Sequence, residues 1–221
     1  MKIRDVPQTG SLGDTVSYAN RYGLIRRRKI IPRDPHTRVQ ADRRSAFQRA
    51  RAFWGTLTDE QMLAWDTVAR TRRTRTVLGQ STPLSGYLLS VKINVHLAMI
   101  GLPMAPSPTP APDFPANPTV RLIATTAGGA VSLKLQVSGT PVQYVLVFGA
   151  RPKGPGAWYA DDYAFLGLLP APDDVMADIT ELFVAKYGPT AVGKRIFIQT
   201  LQQIDGWQDR PKTVSARVLA P

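Results

Sequence analysis

Cysteine is absent from this chain of 221 residues, and histidine occurs only twice. Without thiols there is no disulfide framework and no thiolate zinc site, so cysteine usage does not indicate whether the protein works in an oxidising or a reducing compartment. The segment 1–10 lacks the apolar core of a signal peptide. The most apolar stretch, 84–102, is interrupted by Lys92, Asn94 and His96, which argues against a membrane span. These absences predict a soluble protein with no membrane partner.

The chain has an excess of positive charge, +12 at pH 7. Residues 1–110 hold 18 Lys/Arg against 7 Asp/Glu, whereas residues 111–221 hold 10 against 9. The basic surface therefore belongs to the N-terminal half. Nucleic acid or an acidic protein surface is the partner expected for that half.

Residues 1–33 are predicted to form an extended basic arm. Glycine and proline interrupt it, and short strands are possible at Thr15–Tyr18 and Leu24–Ile31. The arm contains a run of four adjacent cations: Arg26, Arg27, Arg28 and Lys29. Such a block could be a solvated loop, but like charges in series are typical of an interaction tail. We expect the arm to be ordered by a partner, because it offers few large apolar groups to offset the entropy of ordering.

Two helices joined by a tight corner are predicted within residues 34–69. Asp34 can cap the first helix with Pro35 in its first turn, and Gly55 can end it in a left-handed conformation. Thr58 and Gln61 form a capping box for the second helix. The predicted buried positions are Val39, Phe47, Ala50, Phe53 and Trp54 in the first helix, and Met62, Trp65 and Ala69 in the second.

A third helix is expected from about Pro83 to Ile100, with Thr82 as its cap. Leucine, isoleucine and valine occupy two of its faces, so one face could pack on the hairpin and the other on a neighbouring subunit.

Residues 103–118 contain seven prolines, which favours a semi-rigid polyproline II spacer between the helices and the C-terminal half.

The pattern after the spacer is alternation at period two. Val131, Leu133, Leu135 and Val137 alternate with polar residues, and Gly128-Gly129 offers a turn. The other predicted elements are strands at Gln143–Ala150, Tyr163–Leu169, Arg195–Gln203 and Thr213–Leu219, a hairpin turn at Asp205-Gly206 between the last two of these strands, and a helix at Asp178–Tyr187. Several short strands in about 100 residues fit an immunoglobulin-like or fibronectin-type sandwich.

The fold class is therefore α+β, with an all-β C-terminal half. The predicted division is a basic arm at 1–33, a helical domain at 34–102, a Pro-rich linker at 103–118 and a β-sandwich at 119–221.

No segment predicts a cofactor, a metal or catalytic residues. Gly188, Gly193 and Lys194 have the spacing of a phosphate-binding loop, but Arg195 stands where Ser or Thr should follow and the flanking elements are in the wrong order. Asp161, Asp162, Asp173, Asp174 and Asp178 could supply oxygen ligands to calcium, but their spacing matches no calcium loop, and solvated turns or a helix cap explain them better. His36 and His96 lie near no acid and nucleophile in sequence.

The candidate functional residues are therefore interaction residues. Trp54 and Trp65 are interpreted as core of the hairpin, whereas Trp158 and Trp207 lie in Gly-containing turn regions and could be exposed. The predicted partner-binding residues are Arg26, Arg27, Arg28, Lys29, Arg33, Arg43, Arg44, Trp158 and Trp207.

The helical residues resemble a known group. Arg33-Asp34-Pro35-His36-Thr37 with Gln40, then Trp54, Leu57 to Gln61 and Trp65, are similar to an uncharacterised group of tailed-phage and prophage virion structural proteins. The C-terminal half, with Asp178-Ile179-Thr180 and Tyr187-Gly188 before a β-run, is similar to the immunoglobulin-like modules found beside such helices.

This resemblance implies a non-enzymatic virion component, made in the host cytoplasm and oligomeric in the particle. A capsid decoration or minor capsid protein is the expected form, and a head–tail or tail component is the alternative. Its partners would be other virion proteins, with packaged DNA possible for the basic arm. A helix-turn-helix DNA-binding regulator is a weaker hypothesis, because acidic residues open the second helix. An enzyme is weaker still, since no site is assembled in the sequence.

Overall fold

The computed structural model describes residues 9–20, 23–31, 37–75, 81–127, 130–139 and 143–220. The fold is mixed α+β and largely β, with antiparallel sheets. It divides into two compact units, Met1–Ala41 and Asp42–Pro221. The predicted cap at Asp34 and Pro35, and the turn at Gly128-Gly129, lie outside the described residues.

The first unit contains a three-stranded antiparallel sheet. Strands β1 (Gly10–Leu12), β2 (Thr15–Asn20) and β3 (Gly23–Arg28) follow one another in sequence and in space. The two possible strands predicted in the arm are therefore present. The arm itself is less irregular than predicted, because short turns close neighbouring strands at little entropic cost. Gly13 occupies one such turn with a φ of 54°.

The helical part of the second unit begins in α1 (Arg38–Trp54), continues through α2 (Asp59–Arg70) and ends with α3 (Gly86–Met99). The capping box of α2 is confirmed: Thr58 Oγ1 accepts from Gln61 N at 3.3 Å, and Thr58 N donates to Gln61 Oε1 at 2.9 Å. Gly55 does not adopt the left-handed conformation predicted for it. The amides of residues 55–57 instead donate to carbonyls three residues back, which makes a tight turn leading directly into the cap.

The predicted buried positions are confirmed along α2 but only in part along α1. Trp65 and Ala69 are fully buried and Met62 is half-buried, as predicted for α2. Along α1 the prediction was wrong for Val39 and Phe47, which are nearly half exposed. Ala50 is fully buried as predicted, Phe53 and Trp54 are half-buried against the core, and Ala46, which was not predicted, is also buried.

Helix α3 begins three residues later than predicted. Ser81–Pro83 forms strand β5, which pairs with β4 (Arg73–Arg75), so Thr82 cannot cap a helix. Ser85 is the cap and accepts from Leu88 N at 3.3 Å. Gly86 then lies directly against α2 and donates its N–H to Asp66 Oδ1 at 2.8 Å. A side chain at Gly86 would collide with the backbone of Asp66.

The Pro-rich segment 103–118 contacts the helices and the β-strands through hydrogen bonds. Proline lacks an N–H but keeps its carbonyl, and several carbonyls of this segment accept from buried side chains. Trp65 Nε1 donates to Pro106 O at 2.9 Å, Trp207 Nε1 to Thr109 O at 3.1 Å, and Gln202 Nε2 to Pro115 O at 2.8 Å. The segment is therefore not a free spacer, although the predicted domain boundaries themselves stay a prediction.

The β part has two sheets. Their strands are β6 (Thr119–Ala127), β7 (Ala130–Val137), β8 (Tyr144–Gly149), β9 (Ala164–Leu168), β10 (Met176–Asp178), β11 (Arg195–Ile204), β12 (Trp207–Gln208) and β13 (Lys212–Arg217), with helix α4 (Thr180–Tyr187) before β11. One sheet has the order β10-β7-β6, and the other has the order β12-β11-β8-β9 with β13 also paired to β11.

Both sheets contribute to one hydrophobic core. Leu133 and Leu135 of β7 and Ile196 and Ile198 of β11 are fully buried in it, and Phe183 of α4 joins them. The predicted alternation of β7 is confirmed, because its four aliphatic residues are buried. The predicted turn at Asp205-Gly206 is present, with φ values of 48° and 82° that fit a type I′ hairpin, but it connects β11 to the short strand β12 rather than directly to β13.

Candidate interaction surfaces

The basic run on β3 is divided between the two faces of its sheet. Successive strand residues point to opposite sides, so Arg26 and Arg28 share one face and Arg27 lies on the other. Arg26 Nε donates to Ser17 Oγ at 3.2 Å, and the Arg27 guanidinium lies 5.5 Å from the centre of the Tyr18 ring. Positive charge is therefore presented in two directions.

The same unit exposes large apolar side chains. Ile30 is 76% exposed and Ile31 is 80% exposed, directly after the cationic run. Leu12 and Leu24 are also more than half exposed. Cations beside large exposed apolar groups favour contact with a partner that offers both acidic and apolar surface. Arg33, another predicted partner-binding residue, lies outside the described residues.

Helix α1 carries a second cationic surface. Arg43 and Arg44 are exposed, and their role in partner binding stays a prediction. Near its C-terminal end, α1 borders a shallow groove of about 410 Å³ lined by Gln48, Arg51, Ala52, Trp54, Gly55 and Tyr87.

Aromatic rings and a guanidinium form the walls of this groove. Arg51 Nε donates to the Tyr87 hydroxyl at 3.0 Å, and the Trp54 and Tyr87 rings meet edge to face at 5.7 Å. Arg51 also lies over the exposed Phe47 ring, at 5.9 Å. The groove was not predicted from the sequence, because Tyr87 reaches Trp54 only through the packing of α3 in the folded chain.

Trp158 lies in the long loop between β8 and β9 and is 89% exposed; its neighbour Tyr159 is 77% exposed. The base of this loop is anchored. Lys153 and Arg195 exchange backbone hydrogen bonds at 2.9 and 3.1 Å, and Arg195 Nη1 donates to Ala157 O at 3.2 Å. The two rings are thus displayed from a backbone that is held on both sides.

An ion pair closes the same loop. Lys153 Nζ lies 2.8 Å from Asp162 Oδ1. This hydrogen bond raises the pKa of Lys153 and lowers the pKa of Asp162, so both groups are charged at neutral pH. Asp162, which the sequence offered as a possible calcium ligand, is therefore engaged with a lysine. Asp178 accepts from Thr180 N at 2.8 Å at the start of α4.

Trp207, which the sequence suggested could be exposed, is not exposed. Its ring is half-buried against the core of the helical part, its Nε1 donates to the linker, and the Arg72 guanidinium lies 5.0 Å from its centre. The Gly-containing turn places Trp207 inward because Gly206 approaches α3 closely: a Cβ there would meet Ile93.

The two other sequence signals have structural roles. Gly188–Lys194 connects helix α4 to strand β11, which is the reverse of the strand–loop–helix order that phosphate binding requires. His96 Nδ1 lies 2.8 Å from Gly206 O, so Nδ1 carries the proton, and burial lowers the pKa of this imidazole. His36 lies outside the described residues.

Across the described residues, no group of three or more His, Asp or Glu side chains could hold a metal ion. In the same residues no helix is long and apolar enough to cross a membrane.

Comparison of the chain with protein-family models, with curated proteins and with solved structures finds no match.

Proposed function

We propose that this chain is a non-enzymatic structural protein of a tailed-phage virion, in its simplest form a capsid decoration or minor capsid protein. The observation that carries the proposal is the exposure of Ile30 and Ile31 directly after the cationic strand β3. A free monomer gains nothing from solvated isoleucines, whereas a subunit interface buries them. The basic arm and α1 would dock on other virion proteins, and the β part would be displayed.

The β part is proposed to be an immunoglobulin-like sandwich of the fibronectin type. One sheet has three strands, β10-β7-β6, and the other has five, β9-β8-β11-β13 with β12 also paired to β11; both sheets contribute to one core. The end of the chain also pairs with β6 in parallel, through Thr125 and Leu219. Domains of this architecture commonly serve as displayed binding modules.

A head–tail or tail component remains the alternative within the virion. A helix-turn-helix regulator is disfavoured, because the first turn of α2 carries Asp59 and Glu60 where base-reading residues would approach phosphates. The arm could still contact packaged DNA without reading its sequence. Such contact would weaken equally for all sequences as salt rises.

The test compares purified particles made with the natural chain, without it, and with Arg26, Arg27 and Arg28 changed to Ser. The matched control removes three exposed lysines of the β part instead, at positions 134, 186 and 194. We expect the natural and control proteins to copurify with the particles and the arm variant to be lost. Particles that are unchanged without the protein and never contain it would refute the proposal.

A further inference from the structure

We infer that copies of this chain associate head to tail, with Trp158 and Tyr159 of one copy seated in the groove between α1 and α3 of the next. The inference goes beyond the proposed function, because it concerns contact between copies of the chain alone. It would hold whether or not the protein belongs to a virion. Both halves of the contact lie within the unit Asp42–Pro221.

The loop half of the contact is preorganised. An exposed Trp next to an exposed Tyr supplies a large apolar area with few rotatable bonds, which is the composition of interface hot spots. The anchoring of the loop by Lys153, Arg195 and Asp162 removes much of the ordering cost that a flexible loop would meet on binding. In an isolated subunit, two aromatic rings exposed on an anchored loop contribute no buried apolar area.

The groove half matches these rings in chemistry. Trp54 and Tyr87 offer aromatic walls for edge-to-face contact, and Arg51 offers a guanidinium to the face of an incoming ring. The groove is shallow and open to solvent, so a flat ring can lie against its aromatic wall. The groove lies on an arginine-rich helix, so it repels a basic occupant and favours one that brings a carboxylate. Asp161 follows the two rings closely and is exposed.

The geometry of such a contact is heterologous, because the loop and the groove are different surfaces. Heterologous contacts extend into chains or close into rings, unlike a twofold dimer. Two rings bury roughly 300–500 Å² on their side, or about 600–1,000 Å² over both partners, which is below the total of about 1,200 Å² or more that a stable interface buries. The association is therefore weak in dilute solution and is strengthened where copies are held together.

Sedimentation velocity of the purified full chain tests the inference over about two decades of concentration. We expect the average mass to rise with concentration in the natural chain and in the control Val120→Thr, which alters an exposed valine of β6. Trp158→Ala and Ala52→Lys, which fills the groove from an exposed helix position, should each remain monomeric. Far-UV circular dichroism and thermal melts establish that both variants are folded.

Mixing the two variants supplies the deciding result. Trp158→Ala keeps its groove and Ala52→Lys keeps its loop, so the mixture should form a one-to-one dimer and nothing larger. A natural chain that stays monomeric over the whole range overturns the inference. So does association of Trp158→Ala equal to that of the natural chain, or a mixture that shows no dimer.

Discussion

Trp65 and Trp207 show how a single polar atom decides where an aromatic residue lies. Each indole has one N–H, and each finds a carbonyl of the Pro-rich segment as its acceptor. A buried indole without such a partner would leave a donor unsatisfied, at a cost of roughly 1–3 kcal/mol. The carbonyls of a proline-rich stretch have no competing helix or sheet partner, so they remain available as acceptors. Trp207 lies in a turn but is packed with its N–H bonded, whereas Trp158 is 89% exposed.

Gly86 provides a prediction about close packing. Gly86→Ala should destabilise the protein by about 1–3 kcal/mol, because the new methyl group meets the backbone of Asp66 and the helices α2 and α3 must separate. Chemical denaturation measures the change. The matched control is Gly154→Ala, a position with open space around the added atom, which should be close to neutral. Equal effects of the two substitutions would contradict the packing described for Gly86.

His96 provides a prediction about pH. Its folded pKa lies below the ordinary value of 6.5 because burial disfavours the imidazolium, and nearby Lys92 acts in the same direction. The unfolded chain therefore binds the proton first as pH falls, and stability should decrease from about pH 7 downward until the folded pKa is passed.

The slope from this one group cannot exceed about 1.4 kcal/mol per pH unit. Urea melts of the natural chain and of His96→Gln, compared from pH 5 to pH 8 (roughly the range in which histidine titrates), isolate the contribution. The difference between the two should shrink toward acid pH. A constant difference would mean that His96 titrates normally in the folded state.

Among the elements, those defined by local signals were predicted well. The capping box of α2, the alternation along β7 and the Asp205-Gly206 turn each depend on residues within a few positions of one another. The errors fall where distant segments meet. The start of α3 was misplaced because β5 pairs with β4, and the groove at Trp54 depends on Tyr87. Neither pairing leaves a signal in the local pattern.

The capping box gives the prediction for an element. Thr58→Ala removes the acceptor for Gln61 N and should cost about 1 kcal/mol of unfolding free energy. Thr58→Ser keeps the hydroxyl and should be close to neutral. Both are measured by denaturant midpoints. If alanine and serine behave alike, the stability of α2 comes from burial of Trp65 and Ala69 rather than from its cap.

For the unit Asp42–Pro221, the Pro-rich segment changes the expected organisation. Sequence composition predicts a spacer, because seven prolines disfavour helix and sheet. Sequence composition does not reveal that Gln202, Trp207 and Asn94 direct donors at this segment. The β part also contacts α3 directly. Gln203 Nε2 donates a hydrogen bond to His96 O at 3.4 Å, and Gly206 approaches Ile93 closely. The helical and β parts thus share buried contacts.

Shared burial predicts that these parts unfold together. Domains with independent cores melt separately, whereas parts joined by buried contacts show one transition by every probe. Ellipticity at about 222 nm reports mainly on the helices, and hydrogen exchange of β11 amides reports on the sheet. Both should give the same midpoint in the natural chain.

Trp207→Ala removes the ring that joins β12, α3 and the Pro-rich segment, so it should lower the helical midpoint more than the β midpoint. Trp158→Ala is the matched control and should leave the two coincident, because its ring is solvated. Separate transitions in the natural chain would instead support independent helical and β domains joined by a spacer, as the proline content alone predicts.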